Sequence, residues 1–471
     1  MNKIKNTVFV SGVFNVLHIG HIRLFAFAKT IGARLVVGVL DEHLCGNRPK
    51  QSLDERITQL STCSLVDEVT VIESSALETI RKIQPNVILK GAEFASFINE
   101  ELEFIAECPA CELLFSPGVL GDFPPSHTSH AKSTEYLKRH KITPENLNQI
   151  INKISKLKVT VIGDSIVDEY IECEPIGMSR EDPTIVVRPI NTQAYIGGAA
   201  IVAAHASALG ASVTFISMCG DDKAGQFLRT ELSQWKVGHH LFNHKYKPTT
   251  LKKRYRADGK TLLRVSDLDD SDMDNDHQPS FLKQVQESVT DSDLVVMSDF
   301  SYGVLTYEIV NKIKEVCARL EVPIIADAQS SSQLGDITKY SNCILLTPTE
   351  REARLAFKDR KLGLTALCNQ IVESLNIENI FVTLGEKGIF IQSKNSEPDW
   401  KTDEIEALNQ SAVDPAGCGD SLLISAGMAL ASGANIWEAG YIGSIAAAIQ
   451  ASRKGNIPIT LREVKSMLAE I

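Results

Sequence analysis

Short apolar runs rich in Val, Ile, Leu and Phe alternate with helical stretches along almost the whole chain, and the alternation breaks once, near residue 130. Such alternation reads as a parallel sheet with helices on both faces. Ligands of these sheets sit at the carboxyl ends of the strands. A chain of 471 residues exceeds one ordinary domain, so the break reads as a boundary. Strands are expected at Thr7–Ser11, Leu35–Leu40, Glu68–Ile72, Asn86–Lys90 and Glu112–Ser116, with helices Ile22–Ile31, Asp54–Cys63, Leu77–Ile83 and Ile98–Cys108 between them. Pro117–His130 reads as loop, and Ser133–Lys158 is polar with a helix from Pro144 to Leu157. Alternation resumes at Lys158, with strands at Ile185–Arg188, Ser212–Ser217, Asp293–Ser298, Pro323–Asp327, Cys343–Leu346 and Ile380–Thr383. The fold class is α/β: a Rossmann-like unit (1–132), a linker and helix (133–157), and a second α/β unit (158–471).

Composition narrows the function. A hydrophobic fraction of 44% and a charged fraction of 23% belong to a globular protein with ample core. The apolar stretches are too short and too broken for a membrane span, and the start shows no signal-peptide pattern. A cytoplasmic location is expected. The net charge of −11 argues against nucleic-acid partners, which need a basic surface. It leaves room for a small anionic ligand held by a few local cations and helix N-termini. Of ten cysteines, only Cys108 and Cys111 have metal or redox spacing, and no second pair or His completes a zinc set, so free thiols are expected. Asp272, Asp274 and Asp276 mimic an EF-hand opening, but His277 and Lys283 stand where Gly and Glu belong, leaving a solvated acidic turn.

Two constellations carry chemistry. In the first, Gly12-Val-Phe14-Asn15-Val-Leu-His18-Ile-Gly20-His21 follows a strand and opens a helix. Gly20 lets the backbone pass close to a ligand, and the helix N-terminus offers free N–H groups and a positive dipole end to phosphates. Two imidazoles three residues apart can donate to phosphate oxygens that gain charge during an in-line displacement. The alternative is an ordinary histidine pair at a strand–helix turn. Asn47-Arg48-Pro49, Arg56, Val66–Val69 and Pro85–Phe94 follow in an order that resembles cytidylyltransferase-like nucleotidyltransferases, above all the heptose 1-phosphate adenylyltransferase domain. That resemblance implies His18 and His21 at the transferring phosphates and Gly12, Phe14, Arg56, Lys90 and Thr128 in nucleotide or substrate binding, with ATP or CTP as the nucleotide. Asn15 stands where that family carries Asp, the stretch before Arg48 is shortened, and the phosphate loop survives loosely as Ser126–Ser129. The same His-Ile-Gly-His string occurs in class I aminoacyl-tRNA synthetases, but the unit is short, lacks their second signature loop and carries the wrong charge for tRNA.

In the second, Asp414-Pro-Ala-Gly417-Cys418-Gly419-Asp420 precedes a helical run, Ser421–Ser432. Small residues bring successive N–H groups to a helix N-terminus, an anion cradle. Asp420 in the first turn can accept a hydroxyl proton. A glycine-rich loop before a core helix is the plainer reading of that string alone. Asp164 to Tyr170, Gly197-Gly198, Cys219 to Gly225, Thr347 to Glu352 and Val382 to Gly388 extend the pattern, and the whole block resembles the ribokinase family, most nearly its heptose 7-phosphate kinases.

The family resemblance implies that Asp420 is the base and that Gly417, Cys418 and Gly419 form the anion hole. It implies sugar hydroxyls at Asp168, Gly197 and Gly198, nucleotide along Thr383, Gly385 and Gly388, and Mg²⁺ organised through water by Glu352. Arg180, Lys252 and Arg254 read equally as surface charge or as cations for a phosphate already on the sugar. A small β lid, involving Ile185–Arg188 and Lys252–Arg256, implies a homodimer. Ile201, Thr349 and Tyr302 stand where relatives carry Asn, Asn and Lys.

Kinase and transferase modules in one chain are the layout of bifunctional heptose enzymes, here in reversed order. A bifunctional enzyme of nucleotide-sugar synthesis, taking a sugar phosphate and ATP with Mg²⁺, is the leading expectation. A kinase fused to a nucleotide-binding-only transferase, or a silent sugar-phosphate sensor, are the alternatives.

Overall fold

The computed structural model describes residues 7–469, except 15–18, 33, 46–48, 50, 64, 92–100, 109–110, 116–129, 180, 245–246, 258–259, 330–334, 359–360, 395–400 and 410–411. The chain divides into two units, Met1–Ser126 and His127–Ile471.

The first unit contains β1 (Thr7–Gly12), α1 (Ile19–Ile31), β2 (Arg34–Leu40), α2 (Leu53–Ser61), β3 (Glu68–Ile72), α3 (Ala76–Ile83), β4 (Val87–Lys90), α4 (Leu102–Glu107) and β5 (Glu112–Phe115). The strands form one parallel sheet in the order β3-β2-β1-β4-β5. Successive strand residues feed opposite faces. Val8 and Val10 enter one apolar cluster with Leu35, Val37 and Val39, whereas Phe9 joins Val36 and Ile88 in another. This is why the strands read as unbroken apolar runs. Ser52 closes a capping box on α2 with Glu55, which fixes where that helix begins.

The second unit opens with α5 (His130–Arg139) and α6 (Pro144–Ile154), followed by β6 (Lys158–Gly163), β7 (Ser165–Met178), β8 (Ile185–Gly198), α7 (Ala199–Ala208), β9 (Ser212–Gly220), α8 (Lys223–Gln234), β10 (Gly238–His244), β11 (Thr250–Ala257) and β12 (Lys260–Asp267). It continues with α9 (Gln278–Val289), β13 (Leu294–Asp299), α10 (Tyr307–Leu320), β14 (Ile324–Ala328), β15 (Leu345–Leu346), α11 (Glu350–Ala356), α12 (Leu364–Leu375) and β16 (Asn379–Thr383). β17 (Ile389–Ser393), β18 (Thr402–Ile405), α13 (Cys418–Ala431), α14 (Ile436–Ala451) and α15 (Leu461–Leu468) complete it. A nine-stranded sheet, β10-β9-β6-β13-β14-β15-β16-β17-β18, is parallel up to β16 and antiparallel beyond. Val159, Val161, Leu294 and Val296 face one core, while Ile162, Val295 and Met297 face the other. Among the described residues no helix is long and apolar enough to cross a membrane.

Two expectations change. Residues 133–157, expected as a linker and helix, also carry the end of α5, and Tyr136, Leu147, Ile150, Ile151 and Ile154 sit in the main core of the second unit. The Tyr136 hydroxyl donates to the Trp437 carbonyl (3.0 Å), and Arg139 and His140 both hold Asp403. A polar stretch with apolar residues at helical spacing is amphipathic, and its apolar face needs a partner. The lid is also larger than the two short segments expected. β12-β11-β7-β8 form a separate sheet in which β7 and β8 run 14 residues each. Its outer parts expose Ile176, Met178, Ile185, Val186, Leu263 and Val265. Their alternation with polar residues hid the length of these strands. All ten cysteines are free.

Candidate active site

The kinase-like pocket gathers at the carboxyl ends of the long sheet, where lid strands meet the N-terminus of α13. That helix starts at Cys418 because Gly417 turns the chain with φ 75°, a left-handed conformation open to glycine. The resulting cradle of Gly417, Cys418 and Gly419 carries Asp420 in the first turn, buried. Burial pushes the Asp420 carboxyl up to about 7. The charge of nearby Asp168 adds to the rise; a hydrogen bond from Gln329 Nε2 to Oδ1 (2.7 Å) and the Lys252 ammonium oppose it. Burial likewise pushes the Cys418 thiol up to about 12, which keeps it protonated and unreactive.

Asp168, on β7, accepts from Arg254 Nη2 (2.9 Å) and Nε (3.3 Å) across the sheet and from Asn456 Nδ2 (3.4 Å). Gly197 and Gly198 end β8 beside it. A Cβ at 197 would lie 2.5 Å from Asp168 Oδ2, and one at 198 would lie 2.4 Å from the Asp164 carbonyl. Asp164 accepts from the backbone N–H of Phe300, Tyr302 and Val304, and so shapes the loop after β13. Burial, with Asp299 nearby, pushes its carboxyl up to about 6 despite those donors.

Tyr302 is buried. Lys252 supplies a cation there from the lid, its Nζ 5.3 Å from the Phe300 ring centre and 5.2 Å from that of Tyr302. Ile201 is wholly buried in apolar core.

On the opposite side, Thr349 caps α11 in a reciprocal box: its Oγ1 accepts from the Glu352 N–H (3.2 Å), and Glu352 Oε2 accepts from the Thr349 N–H (2.8 Å). Asp327, the penultimate residue of β14, lies near Glu352 and Asp420. Burial and those two charges raise its carboxyl well above the usual range, and no donor among the described residues reaches its Oδ1. A buried carboxyl crowded by two others calls for a cation, so these residues fit a hydrated Mg²⁺. Among the described residues no group of three His, Cys, Asp or Glu is placed to hold a metal. Thr383 donates its N–H to the Pro348 carbonyl (2.9 Å). Gly385 and Gly388 both have positive φ, 62° and 99°, and around Gly385 the space is open.

The first unit has its own candidate site at the carboxyl ends of β1 and β2. His21, in the first turn of α1, packs edge-on to Phe14 with ring centres 5.1 Å apart. The Phe14 ring in turn lies close against Gly12. Arg56 is fully buried, and its Nη1 donates to the carbonyls of Val13 and Leu40 (2.9 Å each), tying the two strand ends together. Nε and Nη2 of Arg56 are buried and meet no acceptor among the described residues. Lys90 is held by both carboxylate oxygens of Glu101 (2.8 and 2.9 Å). His18, Thr128 and Arg180 lie outside the described residues.

The sequence carried Asp164 within a motif but gave it no role, and it passed over Asp327, Gln329, Gln450 and Asn456. Asp327 was findable as a carboxylate at the end of a parallel strand. The three amides carry no such signal, because their roles arise only from contacts across the fold.

Residues 156–462 match the pfkB family carbohydrate kinase, and residues 9–115 match the cytidylyltransferase-like family. Curated relatives include the bifunctional protein HldE of Campylobacter jejuni, 31% identical over 314 residues covering 66% of this chain and 64% of that protein. HldE of Desulfatibacillum aliphaticivorans is 28% identical over 332 residues, 69% of this chain and 66% of its own. The chain thus spans less than two thirds of the Campylobacter relative's length. Among solved structures, phosphofructokinase-2 from Escherichia coli in complex with potassium superposes with a TM-score of 0.56 at 16% identity, covering 67% of this chain and 98% of that one. Arabidopsis thaliana ribokinase complexed with ribose and ATP gives 0.53 at 17%, covering 66% and 99%. At such identity these two share the fold.

Proposed function

Since the chain belongs to the pfkB family of carbohydrate kinases and carries a cytidylyltransferase-like unit ahead of the kinase, we propose that it is a bifunctional enzyme of nucleotide-sugar synthesis. Its kinase phosphorylates a heptose-like sugar phosphate from ATP, and its transferase joins a nucleotide to a sugar 1-phosphate, giving an NDP-sugar, ADP in the leading reading and CDP in the alternative. The observation that carries the kinase half is Asp420: a buried carboxyl near 7, set in the first turn behind a glycine-built cradle and beside Asp168.

In the proposed step, the sugar hydroxyl gives its proton to Asp420 as its oxygen attacks the γ-phosphorus. The bond from that phosphorus to the bridging oxygen breaks, and ADP leaves. The N–H groups of Gly417, Cys418 and Gly419 face the charge on the moving group. Asp168, Gly197 and Gly198 seat the sugar, with Lys252, Arg254 and Arg180 towards its existing phosphate. Thr383, Gly385 and Gly388 line the nucleotide. Glu352 and Asp327 would hold a hydrated Mg²⁺, which would supply neutralising charge to the phosphates. In the transferase, His18 and His21 stabilise the transferring phosphate while Gly12, Phe14, Arg56, Lys90 and Thr128 hold nucleotide or sugar phosphate.

The exposed apolar residues of the lid support a homodimer formed lid to lid, which sedimentation of the wild type against Leu263→Asp would read. A second reading, an active kinase with a transferase that only binds nucleotide, draws on the Lys90–Glu101 pair, which occupies a cation wanted for phosphate. Phosphorus NMR of the enzyme with ATP, CTP and a panel of heptose phosphates tests both. Sugar phosphorylation that persists in Asp420→Asn would refute the kinase assignment. Pyrophosphate release untouched by His18→Ala/His21→Ala would refute the transferase.

A further inference from the structure

Asn456 is buried, and no donor among the described residues reaches its Oδ1. Its Nδ2 donates to Asp168 Oδ2 (3.4 Å). The carboxylate dictates that orientation, because the reversed amide would set oxygen against oxygen. Oδ1 therefore faces Gly417, where a Cβ would lie 2.5 Å from it. On the other side, a Cβ at Gly197 would come 3.4 Å from Nδ2. One side chain thus abuts the carboxylate, the glycine pair and the first residue of the cradle.

The backbone around Asn456 is tied to the same two sides. Gly455 donates its N–H to Asp414 Oδ2 (3.1 Å), and Gln450 Nε2 bridges the carbonyls of Ala416 (3.1 Å) and Gly455 (2.8 Å). On the lid side, the Tyr195 ring lies over Gly455 and Lys454 pairs with Glu172. A buried acceptor left without a donor is costly and is kept where it serves a purpose.

We infer that Asn456 is a positioning residue that registers Asp168, and the sugar held there, against the amides of the phosphoryl cradle. The inference rests on the kinase reading of Asp414–Asp420. Without Asn456, Asp168 and the cradle lose their shared spacer. The acceptor oxygen then drifts from the line of attack, where small misplacements cost rate steeply.

The test uses the full chain with Asn456→Ala and Asn456→Asp. With whichever heptose phosphate the wild type accepts, Asn456→Ala is expected to lower kcat about tenfold while leaving the KM for ATP within about twofold. Asn456→Asp sets a second carboxylate against Asp168 and is expected to raise the acceptor KM about tenfold. Hydrogen exchange read by mass spectrometry, with no acceptor present, should show faster exchange in peptides covering 165–172 and 412–420 of Asn456→Ala. Peptides from α9 and α10 should be unchanged, which certifies the fold. If α9 and α10 loosen as well, the comparison is made on Asn456→Asp. Unaltered exchange in both active-site peptides, or an unaltered kcat, overturns the inference. Since exchange needs no acceptor, it decides the matter even where the panel gives no turnover, an outcome that counts against the kinase reading alone.

Discussion

At the scale of single residues, the carboxylates of the pocket differ by environment rather than by type. Asp168 is buried but met by a guanidinium, whereas Asp420 is buried with one amide donor and rises to about 7. A base must be ionised to accept a proton, so phosphorylation should climb with pH through about 7 and level off above, as a pH series of kcat/KM would record. Asp420→Asn should lower kcat by about 10²–10⁴-fold. The same shift bears on stability with the opposite sign. The folded-state pKa lies above the usual carboxylate value, so folding takes up a proton. The stability due to this group is present at low pH and is lost as pH rises from about 4 to about 7. Asp420→Asn removes the buried charge and should melt about 2–4 °C higher than the wild type at pH 8, with little difference at pH 4.5, by calorimetry.

At the scale of elements, the departures from family pattern find local explanations. Thr349 retains the capping role that Asn fills equally well, since both offer a side-chain oxygen to the third N–H of the helix. Thr349→Ala should therefore cost about 1 kcal/mol in urea unfolding, and Thr349→Asn should cost close to nothing. Gly198 joins β8 to α7 with φ 61°, and a Cβ there would press on the Asp164 carbonyl. Gly198→Ala should displace that junction and raise the acceptor KM more than the KM for ATP. Most strands of the two main sheets were legible because burial on both faces leaves continuous Val, Ile and Leu, but β10, β17 and β18, towards the two ends of the long sheet, were not anticipated. The lid was only partly legible, because β7, β8, β11 and β12 mix exposed apolar and charged residues along strands that leave the core.

At the scale of the whole molecule, two units with separate cores divide at Ser126 and His127. A fragment spanning 127–471 should fold alone and keep kinase activity, whereas one starting at 158 should be insoluble or unstable. The shorter fragment lacks α5 and α6, whose Tyr136, Leu147, Ile150 and Ile151 complete the core. Losing four such apolar side chains removes on the order of 6–12 kcal/mol of burial, comparable to a domain's whole stability. Circular dichroism melts of the two fragments would show it.

The sequence alone determined the two α/β units and the residues that carry the chemical resemblance, because hydrophobic periodicity and a glycine-built helix start are local properties of the chain. It placed Asp420 behind Gly417 and Asp168 after the first strand of the second unit. Only the tertiary structure decided what surrounds them: Gln329 on Asp420, Arg254 and Asn456 on Asp168, Asp327 beside Glu352, Lys252 over the two aromatic rings. These partners lie far apart in the chain, and the energy of a buried charge depends on which distant groups share its low-dielectric surroundings. A motif specifies the reacting group; the fold sets its pKa, its aim and the company it keeps.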